Sequence, residues 1–293
     1  MNVRSVGIVG GGTMGQGIAI TCAAAGLDVL LHDRSHEITA TAIECVGETL
    51  DRDIAKWRRT ASEKKAIQAR IRGVDALGAL EAAQIVVEAV PEDLELKTAV
   101  FQELDRVCPP EDILATNTST LSVTEIAALT KRPDRVIGLH FLHPVPKVPL
   151  VEVVRGLATS DETYRSALEF VRMLGKTGIE VFEYPGYVTT RVMLPFLNEA
   201  MHVVMEGVAS AEAVDTSMKL GYGLPVGPLQ LADRMGLDEV MRWMQYLFDE
   251  LGDVKYRPCP LLRKMIRAGH LGVKSGRGFF AYDADGNPTP KQA

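Results

Sequence analysis

His140 stands near the end of the apolar run Val136-Ile137-Gly138-Leu139-His140-Phe141, and Glu152 lies inside the next one, Leu150-Val151-Glu152-Val153. A proline-rich loop, His143-Pro144-Val145-Pro146-Lys147-Val148-Pro149, joins the two runs. If the runs are adjacent strands, the carboxylate comes within hydrogen-bond reach of the imidazole, and a glutamate so placed orients and charges a general base. A second constellation opens the chain. Gly10, Gly12 and Gly15 have the G-x-G-x-x-G spacing that lets a backbone cradle a dinucleotide pyrophosphate. A base working beside a dinucleotide suits oxidation of an alcohol by hydride transfer.

These residues need particular elements to hold them. Val6-Gly7-Ile8-Val9 reads as a strand leading into the glycines, and Ile18 to Ala25 as a helix that stops at Gly26. In that strand–turn–helix context Gly10 permits the tight turn, Gly12 lets the backbone approach a phosphate, and Gly15 lets helix and strand pack. A second strand, Val29-Leu30-Leu31-His32, ends at Asp33. Asp33 follows the glycines at close to the ~20-residue spacing expected of the carboxylate that holds the adenosine ribose. Its charge repels a 2′-phosphate and so favours NAD over NADP, although Arg34 is adjacent. Further strands are expected at 85–90, 113–116 and 136–139, with helices between them at 95–107 and 123–129. Strands alternating with helices predict an α/β, Rossmann-type doubly wound parallel sheet whose ligands bind beyond the strands' carboxyl ends. Pro91-Glu92 and Asn117-Thr118-Ser119 occupy two of those ends.

The interval 34–84 is long for such a fold. It reads as helical throughout, a hairpin inserted in the sheet domain, with Ile54, Trp57, Ile67 and Ile71 near helical spacing. It is also dense in base: Arg52, Lys56, Arg58, Arg59, Lys64, Lys65, Arg70 and Arg72. Such a cluster either grips a phosphate-bearing substrate or forms a solvated helix face. After Tyr184-Pro185-Gly186 the strand pattern ends, which sets a boundary between a domain at 1–185 and a second at 186–293. Val192, Leu194, Phe196, Leu197, Met201, Val204 and Met205 make a helix too apolar all round for a surface position. An all-helical second domain that carries substrate contacts and a dimer interface is expected, with Met235, Met241, Met244 and Met265 in its core or interface.

Composition narrows the classes. The chain has 293 residues, 46% hydrophobic and 24% charged, as in ordinary globular proteins. A formal net charge of −6 argues against a nucleic-acid partner. No apolar run approaches the ~18 residues of a membrane span, and the first strand leaves no room for a signal peptide, so a cytoplasmic protein is expected. Cys22, Cys45, Cys108 and Cys259 stand far apart and read as reduced thiols, not as a zinc or disulfide framework.

Taken together, the motifs resemble the short-chain L-3-hydroxyacyl-CoA dehydrogenases, of the bacterial 3-hydroxybutyryl-CoA type. The resemblance spans nearly the whole chain. It runs from Val6-Gly7-Ile8-Val9-Gly10-Gly11-Gly12-Thr13-Met14-Gly15 through Val87-Glu88-Ala89-Val90-Pro91-Glu92 and Asn117-Thr118-Ser119 to Gly138-Leu139-His140-Phe141 with Val151-Glu152-Val153. It continues at Asp215-Thr216-Ser217-Met218-Lys219-Leu220-Gly221 and at Gly272-Val273-Lys274-Ser275-Gly276-Arg277-Gly278-Phe279. It implies NAD-dependent oxidation of an L-3-hydroxyacyl-CoA to the ketone, and the reverse. His140 then matches the catalytic base, Glu152 its orienting carboxylate, and Ser119 the serine that binds the substrate oxygen. Asp33, Glu92, Lys97 and Asn117 match positions lining the NAD site, with Thr13 and Met14 in the glycine loop. Ala89, Val90 and His143 are expected beside them. The resemblance also places Lys64 and Lys65 near the CoA nucleotide and implies a homodimer.

Three positions depart from the family's pattern. Thr190 precedes Arg191 where an asparagine of the catalytic set is usual, His143 replaces an asparagine, and Val148-Pro149 replaces a pair that commonly holds lysine. His140 and His143 form H-x-x-H, but no third ligand accompanies them, so no metal is expected. Pro149-Leu150-Val151-Glu152 also resembles relatives that oxidise free hydroxy acids, such as L-gulonate dehydrogenases. Thr190 leaves open a weakly catalytic NAD-binding protein of the kind found among crystallin-like relatives.

Overall fold

In a computed structural model that describes residues 3–289, the chain divides into two compact units, Met1–Tyr187 and Val188–Ala293. The first is built on an eight-stranded sheet in the order β3-β2-β1-β4-β5-β6-β7-β8. Its elements are β1 (Ser5–Val9), α1 (Thr13–Ala24), β2 (Asp28–His32), α2 (His36–Ala55), α3 (Ala61–Gln68), β3 (Ile71–Val74) and β4 (Ile85–Glu88). They continue with α4 (Leu94–Val107), β5 (Ile113–Thr116), α5 (Val123–Ala128), β6 (Val136–Phe141), β7 (Leu150–Arg155), α6 (Asp161–Met173) and β8 (Thr177–Phe182). The sheet is parallel except where β7 turns back against β6. This is the Rossmann-type arrangement the alternation of elements predicts.

The central strands are apolar on both faces because both are covered. One face packs Ile8, Leu31, Ile137 and Phe141 against α1, α2 and α6, and the other packs Val86, Leu114 and Val136 with Phe101 and Leu104 of α4. Burial of each such side chain stabilises the fold by about 1.5–3 kcal/mol.

The interval 34–84 corrects one expectation. It carries the helical pair α2 and α3, but Ile71 begins β3 and does not continue the helix. As the sheet's edge strand, β3 needs only four residues, too few to show a period of two. Trp57 is not part of a helical core face either. It sits between α2 and α3, 95% exposed, at φ 55°.

The second unit is largely helical: α7 (Thr189–Met205), α8 (Ala211–Tyr222), α9 (Pro228–Met235), α10 (Leu237–Leu251) and α11 (Pro260–Arg267), with a short ribbon of β9 (Ala281–Tyr282) and β10 (Pro288–Thr289). Leu194, Leu197, Met201, Leu237, Met244 and Leu262 are buried in its core. The two motifs singled out here by sequence have structural work. Asp215 accepts hydrogen bonds from the backbone amides of Leu229 (2.8 Å) and Gln230 (2.9 Å), and so caps α9, whose own cap residue, Gly227, has no side chain to do it. A Cβ on Gly227 would lie 2.2 Å from the Asp215 carboxyl carbon, so the glycine makes room for its substitute. Asp233 takes the amides of Phe279 and Phe280 and the hydroxyl of Tyr282, tying the C-terminal glycine motif to α9. Asp215→Ala is expected to lower the unit's unfolding free energy by about 1–2 kcal/mol, the usual worth of a helix cap, measured by urea denaturation.

Candidate active site

The glycine loop is shaped by contacts that only glycine tolerates. Gly10 has φ 107°, and a Cβ there would meet the Ala89 carbonyl oxygen at 2.6 Å. A Cβ on Gly15 would fall 1.8 Å from the Gly10 carbonyl oxygen. Gly12, by contrast, opens on free space: a Cβ there meets nothing within 4 Å. It is the cap residue of α1, where no side chain satisfies the first amides and no acid stands in the first turn. An uncapped, uncharged helix start of this kind accepts an anion, and here the loop leaves room for a pyrophosphate. Thr13 is exposed and Met14 half-buried at that start.

Asp33 stands at the end of the neighbouring strand. Its Oδ2 accepts the Gly11 amide at 2.6 Å and its Oδ1 the Arg34 amide at 2.7 Å. Each oxygen keeps acceptor capacity for a ribose hydroxyl. The residues present therefore fit a dinucleotide.

His140 and Glu152 are paired residues of the antiparallel β6–β7 ladder. Their side chains share one face, and Glu152 Oε2 lies 2.5 Å from His140 Nδ1. Gly138, facing Val154 in the same ladder, permits the close approach, because a Cβ there would lie 2.8 Å from that of Val154. A slip of one residue would turn His140 to the opposite face, so register sets the pair. The Glu152 side chain is fully buried and that of His140 nearly so, at 0% and 7% exposure. An ionised carboxylate only accepts, so the bond assigns the proton to Nδ1 and leaves the lone pair on Nε2. Tyr187 packs its ring 5.7 Å from the imidazole, tilted by 57°, and donates its hydroxyl to the Leu121 carbonyl.

The carboxyl ends of β4 and β5 hold a buried polar network. Lys97 Nζ, fully buried, donates to Glu88 Oε1 (2.7 Å) and to the Val90 carbonyl (3.3 Å), and lies 3.4 Å from Glu92 Oε2. Glu88 also accepts from the Thr116 hydroxyl and the Val90 amide. Glu92 Oε1 collects the hydroxyl of Thr118 and the amides and hydroxyls of Ser119 and Thr120. Burial alone would push the Glu92 carboxyl up; Lys97 and these donors outweigh it and hold it below the usual range. Asn117 Oδ1 accepts the amide of Phe141 at 2.9 Å, which links the serine loop to the strand end bearing His140.

This geometry sorts the sequence expectations. His140, Glu152, Asn117 and the Ser119 loop converge on the carboxyl ends of β5 and β6, while the glycine loop and Asp33 occupy the ends of β1 and β2. Ala89 and Val90 are half-buried beside Gly10. His143 is exposed in the loop after β6. Lys97 is fully buried, its ammonium set among Glu88, Glu92 and the Val90 carbonyl at the carboxyl end of β4. Lys64 is spent on Asp51 at 2.6 Å, whereas Lys65 is exposed. Thr190 stands in the first turn of α7, in the second unit. Sequence reading missed Glu88, Thr118 and Tyr187. Glu88 had a visible signal, a carboxylate inside an otherwise apolar strand. Among the described residues no group of three or more histidine, cysteine, aspartate or glutamate side chains could hold a metal ion, and no helix is long and apolar enough to cross a membrane.

Comparison with known proteins agrees across both units. The model of the 3-hydroxyacyl-CoA dehydrogenase NAD binding domain matches residues 5–184, and that of the 3-hydroxyacyl-CoA dehydrogenase C-terminal domain matches residues 186–282. The chain is 50% identical to a probable 3-hydroxybutyryl-CoA dehydrogenase of Bacillus subtilis, over 97% of this chain and 99% of the relative. It is 43% identical to a 3-hydroxybutyryl-CoA dehydrogenase of Bradyrhizobium diazoefficiens, over 96% of each. The solved structure of an (S)-3-hydroxybutyryl-CoA dehydrogenase from Ralstonia eutropha superposes with a TM-score of 0.90 at 45% identity, covering 96% of this chain and all of that one.

Proposed function

The chain belongs to the 3-hydroxyacyl-CoA dehydrogenase family, an NAD-dependent oxidoreductase, and on that premise we propose that it interconverts an L-3-hydroxyacyl-CoA of the 3-hydroxybutyryl-CoA kind with its 3-ketoacyl-CoA, using His140 as the proton carrier. The observation that carries this reading is the His140–Glu152 pair, buried and held at 2.5 Å by strand register.

NAD, when bound, supplies the acceptor for the hydride leaving C3. The chain's own residues do the rest. The glycine loop and the start of α1 hold the pyrophosphate, and Asp33 holds the adenosine ribose. His140 Nε2 takes the proton of the 3-hydroxyl, and the positive charge that forms is stabilised by Glu152 at Nδ1. In the reverse direction the same atom returns the proton to the ketone oxygen. Ser119, held by Glu92 through its backbone amide, turns its hydroxyl proton away from that carboxylate, where the bond is long at 3.4 Å, to the substrate oxygen. Burial of the dyad excludes water from the transfer, and general acid–base help of this kind contributes roughly 10²–10⁴-fold in rate.

The test sets acetoacetyl-CoA against free acetoacetate, following NADH absorbance. Rapid consumption with the thioester alone is expected; turnover of the free acid alone overturns the reading. Thr190→Asn is expected to raise kcat with acetoacetyl-CoA by about fivefold, since one added hydrogen bond is worth about 1 kcal/mol. An unchanged or lower kcat shows that the threonine belongs to this chain's own substrate fit. The second unit supports a homodimer: Val192, Val208, Leu220 and Tyr222 are 68–83% exposed there, a set of apolar side chains suited to burial against a second copy.

A further inference from the structure

Tyr187 is a buried aromatic residue on a backbone that disfavours it. The turn Tyr184-Pro185-Gly186-Tyr187 is closed by a bond from the Tyr187 amide to the Tyr184 carbonyl at 2.9 Å, and Gly186, its third residue, takes φ 79°. The left-handed conformation does not end with the glycine. Tyr187 itself has φ 49°, where a bulky residue costs stability that glycine would not. Such outliers persist where the side chain is needed at that place, and they gather at active sites.

What the side chain reaches explains the need. The serine loop is anchored at three points. Asn117 Oδ1 accepts the Phe141 amide and ties the start of the loop to the strand end bearing His140. Glu92 Oε1 collects its middle, through Thr118, Ser119 and Thr120. Its far end is held by Tyr187, whose hydroxyl donates to the Leu121 carbonyl at 3.1 Å, two residues beyond Ser119. The ring of the same tyrosine packs 5.7 Å from the His140 imidazole, tilted by 57°. Glu152 holds that imidazole at Nδ1, but the outer torsion of a histidine is broad, so a bond at one nitrogen leaves Nε2 room to swing. A ring packed beside the imidazole takes up that room, and one side chain thereby spans from the base to the serine loop.

We infer that Tyr187 is a positioning residue that sets the spacing between His140 Nε2 and the Ser119 hydroxyl, the two groups that the proposed reaction brings to one substrate oxygen. This rests on the proton-carrier reading above. The ring fixes the direction of the imidazole, and the hydroxyl fixes the loop relative to it.

Three variants test it: Tyr187→Leu, Tyr187→Phe and, as a control for lost packing, Phe170→Leu, a fully buried ring of α6 in the core on the other face of the sheet. With acetoacetyl-CoA and NADH, Tyr187→Leu is expected to lower kcat by about 10²-fold with both KM values unchanged, the cost of misplacing reacting groups in a complex that still forms. Tyr187→Phe keeps the ring and loses one hydrogen bond, so its kcat is expected within about fivefold of native. Phe170→Leu is expected to keep the native kcat while losing stability. The ring nitrogens of His140 give a readout that needs no turnover. In nitrogen NMR spectra of the neutral imidazole, assigned by the signals missing from His140→Ala, the native chain and Tyr187→Phe should carry the proton on Nδ1, and Tyr187→Leu should show a mixture of tautomers. Native kcat in Tyr187→Leu, a matching fall in Phe170→Leu, or the native tautomer kept in Tyr187→Leu overturns the inference. A native chain that leaves NADH untouched with acetoacetyl-CoA overturns the proposed reaction instead, and the nitrogen signals then decide the role of Tyr187 by themselves.

Discussion

Glu152→Gln is expected to lower kcat by about 10³–10⁴-fold with little change in NADH affinity or stability. The magnitude follows from what the carboxylate does. An ionised Glu152 can only accept, which forces the proton onto His140 Nδ1. An amide can present its NH₂ instead, and the ring then takes the other tautomer, with the proton on Nε2 and no base facing the substrate. Amidation of the corresponding carboxylate in a Ser-His-Asp triad costs about 10⁴-fold for this reason. The amide also removes the negative charge that stabilises the imidazolium formed in the transfer. Because glutamine matches the shape of glutamate, the fully buried site should still pack. Steady-state kinetics with acetoacetyl-CoA, paired with NADH titration, checks this. A kcat within tenfold of native would mean that Glu152 is a packing residue only.

The second large effect is on stability. Lys97→Met should cost about 3–5 kcal/mol, the penalty for leaving a buried charge without its partner. Glu88 and Lys97 are each 0% exposed, and the ammonium is the only cation within 4 Å of Glu88 among the described residues. Loss of the lysine also frees Glu92, and with it the loop that carries Ser119, so activity should fall with stability. The double variant Glu88→Gln, Lys97→Met removes the orphaned charge and should recover most of the lost stability, because a buried ion pair and its neutral replacement differ little. Urea unfolding of the three variants measures both numbers. A single-variant loss below about 1 kcal/mol would show that water reaches Glu88.

The juxtaposition of His140 and Glu152 was more legible in the sequence than the scaffold around it. His140 and Glu152 sit in apolar runs whose strand character is plain, and a short proline-rich loop leaves those runs as neighbours. Asp33 and the glycines were likewise placed by a spacing that has one physical use. The two edge strands escaped: β3 has four residues, and β8, Thr177-Gly178-Ile179-Glu180-Val181-Phe182, buries only Val181. An edge strand is bonded on one side only and need not be apolar on both faces, so periodicity does not mark it. Trp57 was misplaced for the opposite reason, since its type argues for burial and only the turn geometry puts it outside. Lys97 shows a third limit. The resemblance names it as a residue lining the dinucleotide site but not its ion pair with Glu88, which only the β4–α4 crossover brings together.

The role of His140 as the proton carrier is tested most directly by NADH consumption with acetoacetyl-CoA by the native chain and His140→Ala, with NADH binding titrated on both. Rapid consumption by the native chain is expected, with a fall of at least about 10²-fold in the variant and equal NADH affinity. Turnover persisting in His140→Ala at near-native rate would contradict it, and so would loss of NADH binding together with activity, which would place His140 in the cofactor site.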